Sequence, residues 1–445
     1  MRAVWTTGTN GPNSLEVRET ADPEPKPGQV RIRVRAAGLC FAEVMAAQGL
    51  YPGAPKVPAV LGYEAAGVID KVGDGVDKRR EGSRVVALAN FGAHSDVVCV
   101  PDNQALAIPR AKGFDEAAAI PVNYLTAYHI LFRTATIRPG ERVLVHMAAG
   151  GLGTAALQLC RTVDSVETFG TASAAKHPAI KEEGCTHPID YHTTDYAKEI
   201  KRLTNGEGID VVLDPLGGAD SRKGLKLLRP GGRLVTYGFA NLTNGTRRNP
   251  ARVLKQAASM PLLTPLQLMN ANKTVAGVHI GRLVSRMDLL TEELTEVLAL
   301  WAAGTITPRI DGTYPFDKAA EAHRRILSHG NTGKIILIPL QKITARSLGD
   351  RKPALEVVSR VGQVERLVHE REVRDDGRRQ RHWQRWPVEE RRVGDLHPAQ
   401  PPGAVHLDPV RDRAAPPLDE ADPGPGGIRP SNAGRSNARS VRVGG

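Results

Sequence analysis

The chain has 445 residues, 41% of them hydrophobic and 24% charged, proportions that fit a folded globular protein long enough for two ordinary domains and exclude a collagenous or wholly disordered one. Nowhere do 18 apolar residues run together, and the amino-terminal MRAVWTTGTN has no apolar signal core, so no membrane-spanning helix is expected and a cytoplasmic protein is. The formal net charge of +12 includes a tail, residues 341–445, with 18 Arg and 2 Lys set among 15 Asp plus Glu; acids interspersed in this way dilute any basic patch, and no nucleic-acid partner is expected. Four cysteines, at 40, 99, 160 and 185, form no CxxC pair, as in a reducing compartment.

Up to about residue 122 the pattern is one of short strands, over 15–18, 30–36, 67–72, 84–89 and 96–100. Pro23, Pro25, Pro27, Gly28, Pro52, Pro55 and Pro58 fall between them, which reads as an irregular antiparallel barrel. Residues 123–282 alternate strand and helix, with strands expected over 142–147, 167–171, 187–190, 210–214, 233–237 and 274–279. This is the α/β pattern of a doubly wound parallel sheet. Pro230-Gly231-Gly232 reads as a turn before the fifth strand. An amphipathic helix over 288–303 follows, then TYPFDKAAEAHRRIL and GKIILIPL. After Leu340 the patterning fails. The tail carries 11 prolines in 105 residues, with a helix conceivable only over 355–372, and is expected to be disordered. It admits two readings, a basic arm or an out-of-frame end, and the mixed charge favours the second.

One stretch organises the rest: GERVLVHMAAGGLGTAALQLCR, from Gly140 to Arg161. Val143, Leu144 and Val145 read as a buried strand, stopped by Gly150-Gly151-Leu152-Gly153. Ala155, Ala156, Leu159 and Val163 then recur at helical spacing. Strand, glycine turn and helix make the first half of a Rossmann-type dinucleotide-binding unit, in which Gly151 and Gly153 let the backbone approach a pyrophosphate and the helix start attracts its charge. An NAD site would place Asp or Glu after the second strand. Here the chain reads Phe169-Gly-Thr-Ala-Ser-Ala-Ala-Lys176, with room for a 2′-phosphate, a hydroxyl at Ser173 to bond it and a charge at Lys176 to neutralise it. NADPH is the expected cofactor.

The Gly140–Arg161 stretch resembles, without a mismatch, the signature of the quinone oxidoreductase and zeta-crystallin family of the medium-chain dehydrogenase/reductase superfamily. Residues 146–163, 169–177 and 186–196 (THPIDYHTTDY) are similar to its vesicle amine transport protein branch, and the resemblance covers about residues 1–340. It implies a discontinuous chaperonin-10-like substrate domain from 1–122 and 283–340, around an NADPH-binding domain of 123–282. It adds Tyr191 as a phosphate contact and places Leu216, Tyr237 and Gly238 along the nicotinamide half, beside Gly150, Gly151, Leu152 and Gly153. Asn331 and Lys334 are implied to close the site. Asn123 and Thr126 match positions near the nicotinamide, although either reads equally well as a helix cap. A homodimer is implied, paired through the strand at 274–279, and at most peripheral association with a membrane.

The wider superfamily includes zinc enzymes. Cys40 falls at the first catalytic ligand position, but the second, in Gly62-Tyr63-Glu64, holds Tyr, and the region Val122-Asn123-Tyr124 has no Cys. One thiol cannot hold a zinc that needs three protein ligands, so no metal is expected and Cys40 reads as a buried thiol. Hydride from NADPH then requires an acceptor that is already electrophilic, a quinone or an activated alkene. Tyr51 is the best polar group to face it. It resembles the active-site tyrosine of quinone reductases and the proton-donating tyrosine of enoyl thioester reductases, and reads alternatively as a turn residue packed on Pro52. Enoyl thioester or alkenal reduction is the rival activity, and a non-catalytic, nucleotide-binding role at vesicle membranes the rival class. His146, His177 and His192 are expected to be structural.

Overall fold

A computed structural model describes residues 1–242 and 250–339; the expectations for 341–445 lie outside them. The amino-terminal part is built on the long strand Gln29–Leu39, which pairs antiparallel with Glu64–Val72, Val97–Pro101 and Lys334–Ile338. Its side chains alternate, as a half-buried strand requires. Val30, Ile32 and Val34 enter a core of small residues with Ala65, Val85 and Val98, while Arg31 and Arg33 turn outward and share Asp70. Arg84–Leu88 and Ala105–Ala107 continue this sheet. A small second sheet joins Arg2–Thr6 to Leu15–Glu19 and Ala59–Val60. The strands Arg2–Thr6, Ala59–Val60 and Ala105–Ala107 escaped the sequence pattern. Two of them are too short to show a period.

The expected parallel sheet is present, with strands Arg142–Val145, Glu167–Ala172, His187–Asp190, Ile209–Asp214, Leu228–Thr236 and Thr274–Gly277. In space they lie third, second, first, fourth, fifth, sixth. The order reverses between the first and fourth strands, which opens a crevice at the carboxyl ends of the sheet. Buried on both faces, Val143, Leu144, Val145, Val211 and Leu213 are fully enclosed. Pro230-Gly231-Gly232 does not precede the fifth strand but forms an irregularity within it. The pairing jumps from Ile209↔Leu228 to Val211↔Arg233, and Gly231, at φ +84°, is held by its N–H to the Asn272 carbonyl at 2.6 Å. The helix after the glycine turn is Gly151–Cys160; it buries Ala155, Ala156 and Leu159 but ends before Val163.

Beyond the sheet, Met287–Ala302 is helical and packs against the helix Pro121–Tyr128. Leu290, Leu294, Val297 and Trp301 are buried, and Trp301 donates to Glu116 at 3.0 Å. The chain then returns to the amino-terminal sheet. Ile310–Pro315 runs parallel to Lys334–Ile338, which pairs with Gln29–Leu39 through Ile335↔Leu39.

His323, on the helix Ala319–Leu327, is fully buried, and neither ring nitrogen has a hydrogen-bond partner among the described residues. Burial, with His94 nearby, lowers its pKa to about 3. An unfolded imidazole titrates near ~6.5, so as pH falls below that value the unfolded state gains the proton first and stability declines toward about pH 3. His323→Leu is expected to reduce the slope of melting temperature against pH between about 6 and 4; an unchanged slope would assign the acid sensitivity elsewhere.

Candidate active site

A cavity of about 530 Å³ opens at the carboxyl ends of the first three parallel strands. Of the glycine turn, Gly150 lines it. The helix Gly151–Cys160 starts at Gly150 with no side chain capping it, so its first N–H groups are available to an anion. Gly153 is required by packing, because a Cβ there would lie 2.4 Å from the Met147 carbonyl oxygen and 2.6 Å from Ala148 Cα. At Gly151 a Cβ would lie 2.2 Å from Asn123 Nδ2. Asn123 thus packs directly on the start of this helix.

One end of the cavity gathers Ser173, Lys176, Tyr191, His192, His329 and Asn331. Lys176 Nζ donates to the carbonyls of His329 and Asn331, each at 2.6 Å, which holds the ammonium at the rim. Burial lowers its pKa, with Asp311 opposing and Arg325 adding to the shift. Tyr191 is 46% exposed. Toward the fourth strand, Asp214 shapes the wall: its Oδ1 accepts from the N–H groups of Leu216 and Gly217 at 2.9 and 3.1 Å, and its Oδ2 from the Ser221 hydroxyl. Leu216 lines the cavity. His146 and His192, expected to be structural, also line it. His146 Nδ1 meets the Thr171 hydroxyl at 3.2 Å, Nε2 has no partner among the described residues, and burial lowers the pKa of the ring.

Not every expected residue reaches this cavity. Lys334 lies elsewhere. It is buried and bonded to Glu64, because the strand Lys334–Ile338 carries it into the interior beside the amino-terminal sheet. Tyr237 packs on the core, with its N–H on the Asp214 carbonyl at 3.0 Å, and Gly238 lies close over Pro215. Asn123 and Thr126 are buried in Pro121–Tyr128 and cap nothing; the Thr126 hydroxyl bonds back to the Val122 carbonyl at 2.5 Å.

Tyr51 belongs to a second cluster. Its ring lies 6.1 Å from Tyr63 and 5.5 Å from His279, the latter just past the sixth parallel strand. Beneath it, the Cys40 thiol donates to Glu43 Oε2 at 2.6 Å, and Glu43 Oε1 accepts the Tyr63 N–H at 3.0 Å. Burial and the Glu43 carboxylate push the Cys40 thiol up. Glu64 accepts from Lys334 and from the Val122 N–H, the latter at 2.7 Å. No group of three His, Cys, Asp or Glu side chains suited to a metal ion occurs among the described residues.

Residues 26–121 match the family described as alcohol dehydrogenase GroES-like domain, and residues 183–337 that described as zinc-binding dehydrogenase. The synaptic vesicle membrane protein VAT-1 homolog of Rattus norvegicus is 49% identical over 341 residues, covering 76% of this chain and 84% of the relative. The chain belongs to the medium-chain dehydrogenase/reductase superfamily. Within that superfamily it stands close to the VAT-1 homologues. The crystal structure of human VAT-1 homolog-like protein superposes with a TM-score of 0.66 at 37% identity, over 77% of this chain and 99% of that one. Escherichia coli quinone oxidoreductase complexed with NADPH superposes with a TM-score of 0.67 at 28% identity, over 76% and 100%. The protein is an oxidoreductase of the medium-chain type.

Proposed function

We propose that the protein is a zinc-independent, NADPH-dependent reductase that transfers hydride to a quinone or activated alkene. The observation that carries this reading is the cavity itself: an uncapped helix start at one point, and Ser173, Lys176 and Tyr191 together at the rim where a second-strand carboxylate would otherwise select NAD. The likeness to an NADPH-complexed quinone oxidoreductase supports it.

Residues that fit the cofactor divide by task. The first N–H groups of Gly151–Cys160 suit the pyrophosphate. Ser173, Lys176 and Tyr191 suit the 2′-phosphate, with Lys176 already aimed by two carbonyls. Reduced nicotinamide, when bound, supplies the hydride. Zinc independence is supported by the Cys40 thiol, which is engaged by Glu43, and by the tyrosine at position 63. Tyr51 would then donate a hydrogen bond or proton to the acceptor oxygen.

Lys176→Ala is expected to weaken NADPH binding by about ten- to a hundredfold, the value of a bond to a charged group, and to leave NADH binding unchanged. Equal losses for both nucleotides would remove the phosphate assignment. The reaction is tested by consumption of NADPH in the presence of a panel of quinones and enones. Acceptor-dependent oxidation supports the reductase; binding without oxidation by any acceptor would replace it with a nucleotide-binding role at vesicle membranes.

The rest of the proposal concerns assembly and place. Thr274–Gly277 is an edge strand of the parallel sheet and suits a homodimer paired edge to edge. Four free cysteines suit the cytoplasm. No helix among the described residues is long and apolar enough to cross a membrane, and any membrane contact would be peripheral.

A further inference from the structure

The rim of the cavity holds two imidazoles to which the reaction assigns nothing. His192 follows Tyr191, and their rings lie 4.2 Å apart. His329 comes from a distant part of the chain, just past the helix Ala319–Leu327, and its carbonyl accepts from Lys176 Nζ at 2.6 Å. Both line the cavity beside Ser173 and Lys176. His329 also has φ +52°. It closes the helix in the left-handed region, its N–H on the Ile326 carbonyl and that of Gly330 on the Arg325 carbonyl, a position where glycine fits at lower cost than histidine. The imidazole is thus carried at a backbone position that disfavours it.

Charge at this rim does not balance a phosphate monoester, which brings about −1.5 to −2 at neutral pH. Lys176 supplies one positive charge and has all but one of its N–H groups committed to carbonyls. Ser173 and Tyr191 offer hydroxyls without charge. Arg325, nearby, is held by both oxygens of Asp311 at 2.9 and 3.0 Å, and His177 Nε2 meets the Ala172 carbonyl at 3.3 Å. Asp190, which accepts the His192 N–H at 3.1 Å, adds negative charge. Among the described residues lining this end, His192 and His329 are the groups left to gain a charge.

We propose that His192 and His329 form a proton-linked clamp for the cofactor's 2′-phosphate, gaining protons as the phosphate arrives, so that the preference for NADPH strengthens as pH falls. This rests on the NADPH reading and adds to it the residues that make the preference depend on pH. In the free protein, burial, and then the charges of Lys176 and His192, lower the His329 pKa, which leaves that ring neutral at pH 7. A phosphate beside it favours the imidazolium and raises the value. Between the two values the complex binds more protons than the free protein, and affinity rises as pH falls through that interval. Ionisation of the phosphate itself, with a second pKa of about 6, works in the opposite direction.

The test uses the full chain with NADP⁺, and with NAD⁺ as the probe that lacks the phosphate; both oxidised nucleotides survive mild acid. Calorimetric titration in buffers of different ionisation heat is expected to show uptake of about one proton with NADP⁺ and none with NAD⁺ near pH 7. The ratio of the two affinities should grow about tenfold from about pH 8 to about pH 6.5. His329→Gly removes the ring, suits the backbone and leaves the carbonyl that holds Lys176. Combined with His192→Gln, it should abolish the pH dependence, while the preference at about pH 8, set by Lys176, stays. A ratio constant with pH in the wild-type chain, or an unchanged slope in the double variant, would overturn the clamp and leave the NADPH reading standing. NADP⁺ binding no tighter than NAD⁺ at every pH would overturn both.

Discussion

Lys334→Met is expected to destabilise the protein by about 3–5 kcal/mol, the cost of leaving a buried charge without its partner. Lys334 and Glu64 are both almost wholly enclosed, at 3% and 0% side-chain exposure. Burial opposes the charge on Lys334, but attraction to the Glu64 carboxylate holds its proton more tightly than usual. The pair also joins three distant parts of the chain, since the Glu64 carboxylate accepts the N–H of Val122 at the start of Pro121–Tyr128. Removing the ammonium leaves Glu64 with that one N–H. In the paired variant Lys334→Met with Glu64→Gln, no uncompensated charge remains, and most of the loss should be recovered. Chemical unfolding of the two variants measures the difference; equal losses would show that packing, not charge, sets the cost.

Tyr51→Phe is expected to lower turnover by about 10²- to 10⁴-fold, the range for a positioned general acid, with the NADPH dissociation constant unchanged. The ring contacts with Tyr63 and His279 are aromatic and survive in phenylalanine, so the substitution removes little besides the hydroxyl. Steady-state kinetics beside a nucleotide titration separate the two effects. A variant with wild-type kcat would return Tyr51 to the role of a turn residue packed on Pro52. The enoyl thioester alternative predicts the same loss. Only the acceptor panel divides it from quinone reduction.

Much of the parallel sheet was legible because period and punctuation agree there. The six strands were each found within a few residues, since runs such as Val143-Leu144-Val145 are apolar on both faces and end at glycine or proline. The exception is the fifth strand, where Pro230-Gly231-Gly232 mimics a turn while the strand pairs on either side of it. The cofactor rim was partly legible. Ser173, Lys176, Tyr191 and Leu216 meet at one cavity, but the carbonyls of His329 and Asn331 that aim Lys176 come from more than 150 residues away and carry no local signal. Lys334, implied by the resemblance to help close the site, bonds Glu64 in the structure. That partner lies 270 residues earlier and carries no local signal. Tyr63 stands in the sequence only as a missing zinc ligand, because its ring contact with Tyr51 depends on how the loop folds and not on spacing.

The most direct measurement is a fluorescence titration of the purified full chain with NADPH and, separately, with NADH. Saturable NADPH binding is expected, tighter than NADH by at least about tenfold through bonds to the 2′-phosphate, with the preference abolished in Lys176→Ala. Absence of binding by either nucleotide, or a preference for NADH, would contradict it.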